Sequence, residues 1–350
     1  MKPIRSLIDS KEKLLKLLLA IVMIALLIYM PSTRNRRVLN IAIVVFMYIA
    51  LGESWNVLSG LTGIFSIAHC IFYGIGMYAL LICAKKFHLP LYVGFGIGLM
   101  LNIAFGALVG RIVSHLSGLY FSMSLLGLQQ VLISLASQWV SLTNGDQGLS
   151  MPKKYLMTKV ELYWLALAMA LFMMLLFVII RKSKMGTCFL AVKENPNLTN
   201  ALGINVGAWR IVASIISACM ASVVGAFYCL YMMSGAPTIF SGTIALKIIM
   251  VTMVGGSGNV WGPVLGSGMI ILDELVRGAM PNKFAPISVI VYAIVLIVVV
   301  IFRPAGLVSL FQGFTKKTEK RAKQCSIKSK IIWKNIPSST SCCGTSSPGG

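Results

Sequence analysis

The sequence RKSKMGTCFLAVKENPNLTNALGINVGAWR, residues 181–210, is a long polar stretch between two strongly apolar halves of this 350-residue chain. Asn195 followed by Pro196 is typical of a helix start, because Asn accepts hydrogen bonds from free backbone N–H groups and Pro has no such donor to lose. Gly203 then lies where a residue in the left-handed conformation would end the helix. The pattern therefore predicts a helix of about seven residues, roughly 10 Å long.

The apolar side of this short helix needs a partner. Leu198, Ala201 and Leu202 recur at i, i+3, i+4 spacing, so they share one side of the helix. A helix this short is marginal in water, because its nucleation costs more than so few hydrogen bonds return. The sequence predicts that either the rest of the chain or a separate protein covers this side.

The composition is that of a membrane protein. Residues are 57% hydrophobic and only 11% charged, with a mean hydropathy of +0.86, whereas soluble domains carry about 25% charged residues. The apolar runs reach or approach the ~20 residues that a helix needs to cross a bilayer, and their weak alternation favours helices over a barrel. The sequence predicts an all-α integral membrane protein with about ten transmembrane helices, some of them broken or re-entrant.

The net charge is +22, and of the 31 basic residues five lie before residue 17 and eight lie within residues 316–334. Basic ends beside apolar spans predict cytoplasmic termini near an anionic membrane surface rather than a nucleic-acid partner. We predict a cytoplasmic basic N-terminus over residues 1–13 and a transmembrane domain over residues 14–310, with residues 181–210 as a cytoplasmic loop. Residues 311–350 are predicted to form a basic, disordered cytoplasmic tail. The first apolar run, residues 14–30, favours a retained span over a cleaved signal peptide, because no small-residue cleavage site follows it.

Two glycine-rich stretches interrupt the apolar halves. They are GESWNVLSGLTGIFSIAHCIFYGIGMYALL, residues 52–81, and GGSGNVWGPVLGSG, residues 255–268. Small residues allow close helix packing in lipid, and clustered glycines permit broken helices where the backbone lines a cavity. Glu53 and His69 are polar groups at or near membrane depth, where burial is costly, so they are functional candidates. The alternative is that they form a packed, hydrogen-bonded pair at a helix end.

The sequence predicts no catalytic, cofactor-binding or metal site. Its three histidines are scattered, its eight cysteines lack metal-ligand spacing, and the loop 255–268 lacks the lysine of a nucleotide-binding loop. A lipid-modifying enzyme is disfavoured because no clustered acid, base or metal ligands can be assembled. An ion-coupled secondary transporter or channel stays an alternative, since broken helices with Glu53, Asp273 and Glu274 are compatible with ion coupling.

Several segments resemble one protein family. GESWNVLSGLTGIFSIAHCIFYGIGMYA is similar to the pattern N-L-x-x-G-x-x-G-x-x-S-x-x-H-x-x-F-x-G-x-G-A-Y of the membrane subunits of branched-chain amino-acid ABC importers. The likeness continues in order through GLYFSMSLL, SLTNGDQGL, AVKENPNLTNALGINV, MVGGSGNVWGPVLG and IFRPAGL. It covers about residues 38–308, and the order of the motifs resembles permeases of the LivM type most closely. Lys247 departs from the family pattern, which more often has an acidic or small residue at this position.

The resemblance implies the permease fold of an ABC importer in the bacterial inner membrane. It implies two ATP-binding cassette subunits, a second homologous permease and a periplasmic substrate-binding protein as partners, besides the lipid bilayer. ATP would be used by the partner subunits, so this chain itself would bind no cofactor. Branched-chain amino acids are the expected substrates, while urea or other amides and amino acids stay open.

The resemblance also assigns roles to particular residues. The ENPNLTNALG portion of the central loop would dock into a groove on the ATPase subunit, with Glu194, Ala201, Leu202 and Gly203 on the matching positions and Leu198 completing the apolar side. Closure of the ATPase subunits would push this segment and switch the spans between inward and outward states. The candidates for lining or hinging the transport pathway are Gly60, Gly63, His69, Gly74, Gly76, Gly255, Gly256 and Gly258. For each glycine, close helix packing is the alternative.

Overall fold

The computed structural model describes residues 35–67, 69–115 and 119–279, which are almost entirely helical. The predicted spans 14–30 and 287–301, the IFRPAGL motif and both basic ends of the chain lie outside the described residues. The division into an N-terminus, a transmembrane domain and a tail therefore stays a prediction.

The elements are numbered here in chain order. The helices are α1 Arg36–Trp55, continued by a π-helical turn Asn56–Leu61, α2 Cys70–Lys85, α3 Leu91–His115, α4 Leu119–Gln138, α5 Val140–Thr143, α6 Lys159–Lys182, α7 Lys184–Glu194, α8 Pro196–Ala201, α9 Val206–Met232, α10 Gly242–Gly255, α11 Trp261–Gly266 and α12 Gly268–Ala279. Short 3₁₀ turns occupy Gly145–Gln147, Lys153–Tyr155 and Pro237–Phe240. Two antiparallel two-residue strands, β1 Leu149–Ser150 and β2 Ser234–Gly235, pair Leu149 with Gly235.

Five helical segments in the described residues are long and apolar enough to cross a membrane. They are Arg36–Leu61, Leu91–Ile112, Tyr120–Gln138, Lys159–Lys182 and Val206–Met232. Helices α2 and α10 are also apolar but have only 16 and 14 residues. At ~1.5 Å per residue they measure roughly 24 and 21 Å, less than the ~30 Å hydrocarbon core. The predicted all-α membrane architecture with broken helices is therefore confirmed in these residues, which do not fix the total number of spans.

Helices α1 and α9 form the centre of the bundle. In their apolar windows 72% and 61% of the residues are buried, against 28% in α4. Helix α9 packs along α2 and α3, and α1 packs against α6, α9 and α10. The outer helices α3, α4 and α6 expose large apolar side chains such as Tyr92, Met123 and Phe172, as expected of surfaces that face lipid.

Small residues set the spacing of the central helices. Gly225 of α9 lies directly against the backbone of α2, where a Cβ would meet the carbonyl oxygen of Tyr73 and come within 3.0 Å of the amide nitrogen of Met77. Gly110 of α3 is similarly close to Ile211 of α9. Without a hydrophobic effect between helices in lipid, such close backbone packing supplies much of the association energy.

Local capping residues set the starts of α6 and α7, the helices that lead into the central loop. Helix α6 begins at a capping box, in which the Thr158 hydroxyl accepts from the Glu161 backbone and the Glu161 carboxylate accepts from the Thr158 backbone. Ser183 separates α6 from α7 and accepts a hydrogen bond from the backbone N–H of Gly186 at 3.4 Å. The central loop therefore begins with a helix, α7, whose start is capped by Ser183.

Candidate functional site

The two glycine-rich stretches meet at one place, which we call the junction and define as residues 56–63 and 255–260. On one side, α1 passes through its π-helical turn and ends near Gly63, which has a φ of +76°. On the other side, α10 ends at Gly255 and the chain turns through Gly258, with a φ of +79°, before α11. The predicted helix breaks are therefore confirmed at both stretches. Single π-helical turns inside α-helices are frequent at functional sites.

The side chain of Asn56 connects the two sides of the junction. Its Oδ1 accepts from the backbone N–H of Gly258 at 2.6 Å, and its Nδ2 donates to the carbonyl oxygen of Asn259 at 3.0 Å. The same Nδ2 lies 3.4 Å from Oε2 of Glu53. Because Asn56 is fully buried, its amide satisfies backbone groups that the helix break would otherwise leave without partners.

Glycines allow the two sides of the junction to approach. A Cβ at Gly60 would lie 2.7 Å from the backbone nitrogen of Gly258, and one at Gly258 would lie 3.2 Å from the carbonyl oxygen of Gly60. The fit between these two segments therefore requires glycine at position 60. Of the predicted pathway or hinge residues, Gly60 and Gly258 are in contact here, and Gly63 lies beside the side chain of Lys193. Gly255 and Gly256 lie within the same junction.

Three candidate glycines, including Gly255 of the junction itself, lie in close packing contacts. Gly74 lies against the ring of Phe240, Gly76 against the backbone of Ser222, and Gly255 against the backbone of Gly262. A cavity of about 280 Å³ elsewhere in the described residues is apolar and contains none of the candidate glycines in its lining. It is lined by Leu80, Leu91, Tyr92, Phe95, Leu165, Met169, Val223, Ala226, Phe227 and Leu230. Whether any candidate residue contacts substrate stays a prediction.

Glu53 and His69 are both fully buried, but they do not form the hydrogen-bonded pair that was the alternative interpretation. Nε2 of His69 lies 2.8 Å from the hydroxyl of Ser54, whose carbonyl oxygen accepts from the hydroxyl of Ser217 at 2.7 Å. Glu53 instead faces Asn56. Glu53 and His69 lie on opposite sides of the break between α1 and α2. Glu53 contacts Asn56, and His69 contacts Ser54.

The central loop presents its predicted docking residues to the outside. Helix α8 starts as the sequence predicts, with Oδ1 of Asn195 accepting from the N–H of Leu198 at 3.0 Å, and Gly203 follows it with a φ of +83°. Leu198 is 58% exposed and Leu202 is 72% exposed. Glu194, Ala201 and Gly203 are exposed as well. Within the part of the chain that the structure describes, the apolar side of α8 is therefore uncovered.

The opposite side of the central loop is firmly packed. Thr199 is buried, and its hydroxyl donates to the carbonyl oxygen of Ala191 at 2.9 Å, which ties α8 to α7. Phe189 of α7 is buried with its ring edge against Trp209, the ring centroids lying 5.7 Å apart. Helices α7 and α8 are thus packed together against the start of α9.

The sequence did not predict that the central loop reaches the junction. Nζ of Lys193 donates to the carbonyl oxygen of Gly60 at 2.7 Å. The side chain of Lys193 also crosses Gly63, where a Cβ would come within 3.1 Å of its Cγ. The only sequence signal was the lysine itself, one residue before the ENPNLTNALG motif, and nothing in it indicated a partner 133 residues away.

A second contact missed by sequence reasoning is the ion pair between Lys247 of α10 and Asp273 of α12. Their Nζ and Oδ2 atoms are 2.7 Å apart, and the Asp273 side chain is fully buried. Lys247 departs from the family pattern, and this pair explains how a charge is accommodated in an apolar helix.

The buried turn that precedes α10 also depends on one polar side chain. The 3₁₀ turn Pro237–Phe240 is buried against α2, and the carbonyl oxygen of Phe240 accepts from Nε2 of Gln129 at 2.6 Å and from the Cys70 thiol at 3.4 Å. The ring of Phe240 stacks on the ring of Tyr78, with the two centroids 5.7 Å apart. Irregular backbone at membrane depth needs such internal hydrogen bonds, because lipid offers none.

We expect Gln129→Leu to destabilise the protein by about 1–3 kcal/mol, because the buried carbonyl of Phe240 would lose its strong donor. Gln130→Leu is the matched control, since Gln130 is the exposed neighbour on the same helix. The thermal unfolding midpoint of the purified protein in detergent measures both changes. Equal midpoints for the two variants would contradict a supporting role for Gln129.

The described residues contain no group of three or more His, Cys, Asp or Glu side chains placed to hold a metal ion. The polar groups that they do assemble are hydrogen-bonding groups at helix breaks and one ion pair. Such an arrangement can hold or release backbone segments.

Comparisons with known proteins give one consistent result. The family described as "Branched-chain amino acid transport system / permease component" matches residues 37–300. The LivM permease protein of the high-affinity branched-chain amino acid transport system of Salmonella typhimurium (strain LT2) is 24% identical over 343 residues, which covers 89% of this chain and 79% of that protein. The LivH permease protein of the corresponding system of Escherichia coli (strain K12) is also 24% identical, over 74% of this chain and 90% of that protein.

A solved structure, PsaBC from Streptococcus pneumoniae in complex with Fab, covers 80% of this chain and 96% of that one at 15% identity, but its TM-score of 0.40 is too low to establish a shared fold. The family match spans most of the chain, including the junction and the central loop. It agrees with the apolar spans and broken helices of the described residues. The chain therefore belongs to the family of permease components of branched-chain amino acid transport systems.

Proposed function

We propose that this chain is the transmembrane permease subunit of an ATP-driven importer for branched-chain amino acids, or for related amino acids and amides. The names of its relatives, which are permeases of branched-chain amino acid transport systems, support this substrate class. The chain has no catalytic role of its own in this proposal. A separate ATPase supplies the energy, and the permease alternates between inward-facing and outward-facing states.

The observation that carries the proposal is the exposed apolar side of α8. Leu198 and Leu202 are exposed on a short helix whose other side is bonded to α7 through Thr199. Burying each leucine in a partner groove would contribute about 1.5–3 kcal/mol. A rigidly held, exposed apolar knob next to polar Asn200 and Glu194 is suited to docking in a groove of a water-soluble ATPase.

The remaining parts of the assembly follow from the family. Two ATP-binding cassette subunits would dock on this permease and a second homologous permease, and a periplasmic binding protein would deliver the substrate. The complex would sit in a bacterial inner membrane, with about ten spans in this chain and both termini cytoplasmic. ATP would bind only to the cassette subunits.

The buried carboxylate of Glu53 is the observation that favours the alternative, an ion-coupled secondary transporter. Its Oε1 has no hydrogen-bond partner among the described residues, and buried carboxylates in membrane spans often belong to ion or proton pathways. This alternative would place the driving force in an ion gradient. It would also leave the exposed side of α8 without a purpose.

Reconstituted vesicles distinguish the two functions. We expect uptake of radiolabelled leucine, isoleucine or valine only when the ATPase subunits, the second permease, the binding protein and ATP are all present, and no effect from collapsing the proton and sodium gradients. A vesicle with an ATPase-inactive cassette subunit is the control for ATP binding alone. Uptake by this chain alone, driven by an imposed ion gradient, would overturn the ATP-driven proposal.

A further inference from the structure

We propose that Lys193 and Asn56 form a latch that holds the junction closed, and that movement of the α7–α8 unit releases it. Lys193 is then a positioning residue, which connects the docking helix to the inner ends of the two broken spans. The proposal rests on the proposed function for its driving force, but the latch itself is a property of this chain.

The first step is the rigid connection between α8 and Lys193. The buried hydroxyl of Thr199 donates both to the carbonyl oxygen of Ala191 in α7 and to that of Asn195 at the turn between the helices, at 2.9 and 2.8 Å. Val192, beside Lys193, is buried. A displacement of α8 therefore moves the last turn of α7, which carries Lys193, rather than bending the loop between them.

The second step is the contact that this turn makes. The ammonium group of Lys193 donates to a single neutral carbonyl, that of Gly60, at 2.7 Å. No carboxylate forms an ion pair with Lys193 in the described ranges of the chain. Its flexible stem runs over Gly63, where any larger side chain would obstruct it. A hydrogen bond from a charged group to a carbonyl is strong enough to hold a segment, and a lysine can swing out to water when pulled.

The third step is what the bond holds. Gly60 is packed on Gly258, and Asn56 bonds to the backbone of Gly258 and Asn259 on the opposite side. The broken ends of α1 and α10 are thus joined by the side chain of Asn56, which lies in the π-helical turn after α1. The side chain of Lys193, from the central loop, holds the same place through Gly60. When Lys193 withdraws, the carbonyl of Gly60 loses its donor, and water can compete for the amide bonds of Asn56.

The arrangement explains three features together. Non-helical backbone at membrane depth is tolerated where it is packed in protein or where it lines a water-filled cavity. The closed junction is packed in protein, and the released junction would line a water-filled cavity. The π-helical turn Asn56–Leu61 provides backbone that can shift without breaking α1. The glycines at 60, 63 and 258 permit the close approach in the closed state.

The experiment uses Lys193→Met, which keeps the stem and removes the donor. We expect backbone amides of residues 56–63 and 255–260 to exchange hydrogen for deuterium about tenfold faster or more in the purified variant, because a bond of this kind accounts for at least one factor of ten. Lys193→Arg should stay near wild type because it retains a donor. Lys184→Met is the matched control, an exposed lysine at the other end of α7. Unchanged exchange at the junction in Lys193→Met would overturn the latch.

A second readout tests the coupling role. In vesicles containing the complete transporter, we expect Lys193→Met to retain ATP hydrolysis but to import several-fold fewer substrate molecules per ATP, while Lys184→Met and Lys193→Arg retain the wild-type ratio. Faster junction exchange with an unchanged ratio would overturn the coupling role. If the wild-type complex imports nothing with ATP, the proposed function fails, whereas the junction exchange of Lys193→Met still decides whether the latch exists.

Discussion

We expect the double variant Leu198→Asp with Leu202→Asp to lose the ATPase subunits on purification and to abolish ATP-dependent uptake. Both leucines are exposed on α8, so the substitutions leave the fold of this chain intact. In the docked state, the two leucines together would contribute about 3–6 kcal/mol, and their loss alone weakens docking by at least about a hundredfold. The two carboxylates add a desolvation cost, because an apolar groove offers them no partner.

Leu156→Asp is the matched control for this experiment. Leu156 is 72% exposed, like Leu202, but lies in the loop between α5 and α6, outside the central loop. We expect this variant to retain co-purification with the ATPase subunits. Full co-purification and full uptake in the α8 double variant would remove the basis for assigning Glu194, Leu198, Ala201, Leu202 and Gly203 to the coupling segment.

The second large effect is structural. We expect Gly225→Val to destabilise the protein by about 3 kcal/mol or more, because its added atoms meet the backbone of α2 at Tyr73, which cannot rotate away as a side chain could. For a chain of 350 residues, with an unfolding entropy of about 2.1 cal/mol/K per residue, 3 kcal/mol corresponds to a thermal midpoint roughly 4 °C lower. The midpoint in detergent and the yield of folded protein from membranes measure the effect.

Gly127→Val provides the comparison. Gly127 lies on the exposed face of α4, and a Cβ there would meet no atom within 4 Å. The same substitution in another apolar helix should therefore leave the midpoint nearly unchanged. A similar loss in both variants would show that valine harms these helices through backbone propensity rather than through the contact between α9 and α2.

Local signals predicted the helices of this protein well. The Asn195–Pro196 start and the Gly203 stop of α8 are found where the sequence placed them, because a cap depends on residues within one turn of each other. The breaks near Gly63 and Gly256 are also local, since clustered glycines and Pro263 cannot continue an unbroken helix. The membrane class followed from composition alone.

Contacts between distant elements could not be predicted in the same way. Asn56 bonds to Gly258, 202 residues later in the sequence, and Lys193 to Gly60, 133 residues earlier. The sequence singled out Gly60 and Gly258 as separate candidates, without indicating that they touch. It also treated Glu53 and His69 as one possible pair, whereas each bonds to a different neighbour.

The sequence by itself therefore determined the membrane class, the positions of the helix breaks, the capped short helix α8 and the family resemblance. All of these depend on composition, on the spacing of nearby residues or on ordered motifs. Only the tertiary structure decided that the two breaks meet, that Asn56 joins them and that Lys193 reaches them from the central loop. The physical reason is that such contacts depend on the depth and rotation of each helix in the bundle, which packing of the whole chain fixes and no local pattern encodes.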